Sequence, residues 1–246
     1  MTRPLRLVVP NYAHHVRQRG VRKDRIFHED SDYLVYLRVL RGACLDRGVR
    51  IWAYALMTNH VHLVAVPDHE RSISKALHDA HTEYSTYFNA KYGFVGHVWQ
   101  GRPDMSLMDE AYMWNAVRYV ERNPVRAGIV HRAEEYLWSS AAAHCGLRDD
   151  SLLSQDFPPP GTIDDWAKWL MIDHSEEDKR TIRTHLSTGR PWCTPEVLEQ
   201  LERISGLKLR PRQPGRPKKI RGQTGEIPFR DTEQNPPNPK NGNSPV

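Results

Sequence analysis

The stretch Val49-Arg50-Ile51-Trp52-Ala53-Tyr54-Ala55-Leu56-Met57-Thr58-Asn59-His60-Val61-His62-Leu63-Val64-Ala65-Val66-Pro67 carries the reading of the fold. Two runs rich in Val, Ile, Leu and Ala, residues 49–56 and 60–67, flank Met57-Thr58-Asn59, an interval short enough for a hairpin turn. Upstream, residues 30–46 hold Leu34, Leu37, Val39, Leu40 and Ala43 near helical period, and Gly48 ends the pattern. A strand is expected still earlier, at residues 5–10, resuming at 12–18. Downstream, a helix is expected over 73–89, a glycine-containing aromatic loop feeding a strand over 92–106, and a third helix over 109–123. Strand, helix, strand, strand, helix, strand, helix is the order of an α+β, ferredoxin-like antiparallel sheet with helices on one face.

Beyond residue 146 the pattern thins. Residues 164–172, 175–186 and 195–204 read as helices, the last with Thr194 as N-cap, Pro195 at the first helical position and Gly206 past the end. The expected organisation is a first domain over 1–146, a helical C-terminal extension over 147–206 and a basic, Pro-rich tail over 207–246. Residues 211–246 contain eight prolines and almost no apolar residues, a composition that predicts disorder. Between Arg203 and Arg221 no acidic residue interrupts the basic run, in which Arg210, Arg212, Arg216, Lys218 and Lys219 are the candidate nucleic-acid contacts. Pro214-Gly215-Arg216-Pro217 is similar to the short hooks that place an arginine in a narrow minor groove, and a merely solubilising tail is the other reading.

The chain has 246 residues, 35 basic against 30 acidic, for a formal charge of +5, which leans towards a polyanionic partner. No run of about twenty apolar residues offers a membrane span. Residues 5–10 are too short and too charged at their flanks for a signal peptide, so export is not expected. The three cysteines, Cys44, Cys145 and Cys193, are far apart and form no C-x-x-C pair, which excludes a disulfide scaffold or zinc ribbon. A reduced, cytoplasmic protein is the expectation.

Side chains alternate along a strand, so His60 and His62 project from one face, a platform for a metal ion or simply two histidines on a half-exposed strand. On the third helix, Met113, Ala116, Val117 and Val120 mark the buried stripe. Tyr119 and Asn123, four apart, stack at its edge, where Pro124 should end the helix.

Three blocks now carry a resemblance: Met57-Thr58-Asn59-His60-Val61-His62-Leu63-Val64; Gly96-His97-Val98-Trp99-Gln100-Gly101-Arg102; and Tyr119-Val120-Glu121-Arg122-Asn123-Pro124-Val125-Arg126-Ala127-Gly128-Ile129-Val130. Together they resemble the REP-associated tyrosine transposases, single-tyrosine, IS200-like members of the HUH nuclease group, over roughly residues 5 to 145. The resemblance implies Mg²⁺ or Mn²⁺ held by His60, His62 and Asn123, with Tyr119 as nucleophile. It also implies a 5′-phosphotyrosine intermediate, and cleavage and rejoining of single-stranded DNA at REP-like hairpins by a nucleoid-associated monomer or homodimer. Arg102 is a further candidate DNA contact, and His97 could support the site or the DNA. The chain departs from the family pattern at Pro103-Asp104 and at Arg122, the latter read as compatible with an exposed surface. Ligating imidazoles must be neutral, so activity is expected to fall below a pH of roughly 6.5. A domesticated, non-catalytic hairpin-binding protein is the alternative, and a metal-dependent hydrolase sharing the His-x-His strand a third.

Overall fold

The computed structural model describes residues 7–158 and 163–210. The hairpin is present as β2 (Val49–Met57) and β3 (His60–Pro67), with Met57 paired to His60 so that Thr58 and Asn59 make the turn. It joins β1 (Ala13–Arg19) and β4 (Asp104–Met108) in one antiparallel sheet of order β2-β3-β1-β4, the ferredoxin-like arrangement. The opening apolar residues differ from expectation. The strand starts only at Ala13, because Pro10 and Asn11 turn the chain first, with Asn11 in the left-handed region at φ 63°.

Helix α1 (Asp30–Arg47) is opened by a capping box in which the Asp32 carboxylate accepts the backbone amides of His28 and Glu29, at 2.8 and 3.2 Å. It closes at Gly48, at a φ of 63°, where a Cβ would lie 2.7 Å from the Asp68 carboxylate. Helix α2 (Ser72–Tyr92) lies beside it. Tyr36 and Leu40 of α1 and Ile73, Leu77 and Tyr84 of α2 pack against Val16, Val61, Leu63 and Met105 of the sheet.

The expectation of helices on one face is corrected here. The residues that alternate with those, Ala53, Ala55, Val64, Val66 and Met108, form a second core with Met113, Ala116, Val117 and Val120 of α3 (Glu110–Glu121). Both faces of the sheet are covered, which is why β3 is buried along nearly its whole length instead of alternating. Alanines at 53 and 55 provide a shallow surface on which α3 lies.

A short helical turn, α4 (Asn123–Arg126), follows α3 directly, with Pro124 at its start, so the chain bends at Arg122 without leaving helical geometry. After α5 (Ala141–His144), the segments α6 (Trp166–Met171), α7 (Glu176–Thr188) and α8 (Pro195–Ser205) occupy the three stretches read as helices. Trp166, Leu170, Ile182 and Trp192 join the α3 core, and Trp192 donates its backbone amide to the Leu107 carbonyl at 2.7 Å, capping the edge of β4. Residues up to Arg210 form one compact unit. The tail residues Arg212, Arg216, Lys218 and Lys219 lie outside the described residues.

Candidate active site

Register brings the site together. In the β1–β3 ladder Arg19 faces His60 and Arg17 faces His62, while His15 lies two residues further along on the same face of β1. The His15 Nε2 and His62 Nδ1 are 2.8 Å apart, a contact between residues 47 positions apart in sequence. His60 is fixed from the turn: its Nδ1 lies 2.6 Å from Asn59 Oδ1, and the Asn59 amide nitrogen donates to the Lys23 carbonyl at 3.0 Å. An amide oxygen accepts, so His60 Nδ1 carries the proton and Nε2 presents its lone pair. The tautomer in which His62 Nδ1 donates to His15 leaves Nε2 of His62 in the same state.

All three imidazoles are held neutral. Burial, then the charges of Arg19, Arg17 and Arg126, lower His60 to about 3. Burial, then Arg17 and Arg126, take His15 to about 3. His62 is pushed well below 6.5 by burial, its two imidazole neighbours and the same arginines. Desolvation thus moves protonation of these rings below the pH of roughly 6.5 expected for ordinary imidazoles.

Tyr119 sits above this cluster. Its ring meets His15 edge-on at 5.8 Å between centroids and His62 at 6.0 Å. The Arg126 guanidinium lies over the ring face, 3.9 Å from the centroid. From the extension, His174 adds another edge at 5.9 Å; its Nε2 lies 3.0 Å from the Asn115 carbonyl, which fixes the proton there and leaves a buried Nδ1 with no partner among the described residues. Asn123 is 7% exposed and its amide nitrogen also lacks a partner among the described residues.

The donor set fits a divalent cation in part through its chemistry: two neutral imidazoles on one strand face and a buried carboxamide four residues from the phenol. Among the described residues no group of three His, Cys, Asp or Glu side chains forms a metal cluster. With Arg17, Arg19 and Arg126 nearby, such a site needs negative charge from its substrate.

Other expected residues lie elsewhere. His97 is exposed and lines a groove along α2 with Trp99, not the His60 face. Arg102 lines both that groove and a cleft beside β1. Arg210 is held by Glu202, with 3.5 Å between Nε and Oε2. Asp104 opens β4, and its carboxylate accepts from Arg17 Nη2 at 2.6 Å. Arg122 is the second correction: it is buried, donating to the Leu170 carbonyl and pairing with Asp173 at 3.3 Å, so it anchors the extension instead of facing solvent. Sequence reasoning missed His15, Arg126 and His174. For His15 the signal was at hand, since it falls on the strand-period face that register with His62 would expose.

Residues 8–123 match the family model described as transposase, IS200 like. Over that span the chain is similar to the IS200-like transposases. The match ends at Asn123, so Arg126 and His174 lie beyond it. Two solved structures are similar. One is a REP-associated tyrosine transposase bound to a REP hairpin, 18% identical, covering 65% of this chain and 94% of its own, with a TM-score of 0.49. The other is a candidate transposase from Deinococcus radiodurans R1, 13% identical, covering 49% of this chain and 97% of its own, with a TM-score of 0.35. No curated protein matches the chain.

Proposed function

We propose that the protein cleaves and rejoins single-stranded DNA at REP-like hairpins through a 5′-phosphotyrosine intermediate on Tyr119, with Mg²⁺ or Mn²⁺ held by His60, His62 and Asn123. The observation that carries this reading is the packing of the Tyr119 ring against the imidazole cluster of β1 and β3. The match of residues 8–123 to IS200-like transposases supports DNA as substrate, and the three motif blocks support a REP-type hairpin.

When bound, the cation would polarise a non-bridging oxygen of the scissile phosphate and offset its developing charge. Asn59 and His15 hold the two imidazoles in the tautomers that ligation requires. Tyr119 attacks phosphorus through its phenolic oxygen, the P–O bond to the 3′ oxygen breaks, and the departing strand keeps a 3′-hydroxyl. Arg126, stacked on the phenol ring, places a positive charge beside the attacking group and the scissile phosphate it meets. The covalent link conserves the phosphodiester bond, so a second 3′-hydroxyl can reverse the step without a nucleotide cofactor.

The test is a 5′-phosphotyrosyl adduct. Full-length protein with Mn²⁺ and a labelled REP-like hairpin should give a band stable to denaturant, and Tyr119→Phe should give none. Binding without an adduct in the unaltered protein would leave a non-catalytic hairpin binder, whereas cleavage surviving in Tyr119→Phe would make it a hydrolase.

A further inference from the structure

Partners in an antiparallel ladder project to the same face, so β1 sets Arg17 and Arg19 beside His62 and His60. Arg17 and Arg19 line a cleft of about 430 Å³. Lys23 and Arg102 add two more cations to its walls, and its other rim is Ser187, Thr188 and Gly189 at the end of α7. The lining carboxylate, Asp104, is already engaged by Arg17 at 2.6 Å. Arg19 makes no ion pair with the described residues, and its buried Nε has no hydrogen-bond partner among them. A cleft with four cationic side chains, one neutralised carboxylate and two hydroxyl-bearing residues suits a polyanion with regularly spaced charges.

Resting on the function proposed above, we propose that this cleft is a phosphodiester track: a single DNA strand lies in it, its phosphates on Arg19, Lys23 and Arg102, and passes from there to His60. The rim from α7 lies outside residues 8–123, so the C-terminal extension supplies one wall of the track. Charge selects the occupant: the lining has four cationic side chains and one carboxylate that Arg17 already engages, which favours a strand carrying a negative charge at every nucleotide.

The test is the salt dependence of binding by the full chain to a fluorescent hairpin with a single-stranded 5′ extension. Arg19→Gln and Lys23→Gln should each lower the slope of log K against log[salt] by about 0.7, the value for one phosphate of a single strand left unneutralised. Thr188→Glu, on an exposed position, should weaken binding at least about tenfold at low salt, and Arg38→Gln, on the outer side of α1, should change neither quantity. Melting curves identify any variant that fails to fold, and Lys23 and Thr188, both exposed, provide the reading if Arg19→Gln does. Unchanged slopes with Lys23→Gln and unchanged affinity with Thr188→Glu overturn the track even if the Tyr119 adduct forms. Altered slopes in a protein that makes no adduct keep the track and remove the nuclease. A chain that binds no oligonucleotide removes both.

Discussion

His15 shows how one side chain sets the chemistry of another. In the tautomer where His62 Nδ1 donates, His15 Nε2 is its acceptor, and in the proposed metal site that bond would hold His62 in one orientation and tautomer. His15→Ala leaves that buried nitrogen unpaired and should weaken Mn²⁺ binding about tenfold or more, measured by titration calorimetry on Tyr119→Phe with bound oligonucleotide. His15→Gln, which can return an acceptor at the same place, should recover most of the affinity. Equal affinity in all three proteins would remove His15 from the site. The arginines around the imidazoles lead to a companion expectation: Mn²⁺ should bind the protein alone more weakly than its complex with DNA, because the phosphate supplies the charge the site lacks. Identical affinities with and without oligonucleotide would contradict that.

At the scale of an element, α3 does two jobs on different faces. Tyr119 looks to the sheet, while Glu121, two residues on and fully buried, accepts from Ser140 Oγ at 2.5 Å, from His144 Nδ1 at 2.6 Å and from Trp166 Nε1 at 2.8 Å. A single carboxylate thus ties the helix that carries Tyr119 to α5 and α6. Glu121→Ala orphans three buried donors and should lower unfolding stability by about 2–4 kcal/mol, with Glu121→Gln losing less because one amide oxygen remains. Urea melts check this, and a loss under about 1 kcal/mol for Glu121→Ala would mean the extension docks through its apolar contacts instead. The start of α3 was legible, since Asp109 accepts from the Tyr112 amide as N-cap and the stripe has helical period; its end was not, because α3 closes at Glu121 and Asn123-Pro124, expected to stop it, open α4. The partner of Glu121 was not, because Trp166 lies 45 residues away and no spacing encodes that meeting.

For the molecule as a whole, the buried histidines dominate its response to acid. Burial lowers His14 to about 4, His81 to about 3 and His174 to about 4, alongside the site imidazoles. An unfolded chain protonates these rings near pH 6.5 while the folded one does not, so the unfolded state binds more protons and stability falls as pH drops from about 6.5 towards 4. Asp32 behaves differently. Burial would raise its carboxyl, but Lys91, the His28 amide and Tyr92 hold it at about 2, so its contribution is intact until pH falls below the ordinary carboxylate value near 4. Tryptophan fluorescence against pH should therefore show unfolding begin above the carboxylate range, with the denaturant midpoint already lower at pH 5 than at pH 7. A midpoint flat from pH 7 to 4 would mean that these rings are hydrated.

Much of this protein was written in local pattern. Period-two alternation placed His60 and His62 on one face, and helical period marked Met113, Ala116, Val117 and Val120 as the buried stripe of α3. The breaks at Gly48 and Thr58-Asn59 cut the chain into its elements, because turn, strand and helix geometry are decided by residues a few positions apart. Tertiary structure alone decided that His15 meets His62, that helices cover both faces of the sheet, that Arg122 is buried and that the extension walls the cleft beside β1. Those outcomes depend on which surfaces exclude water together across dozens of residues, a choice that spacing along the chain does not record.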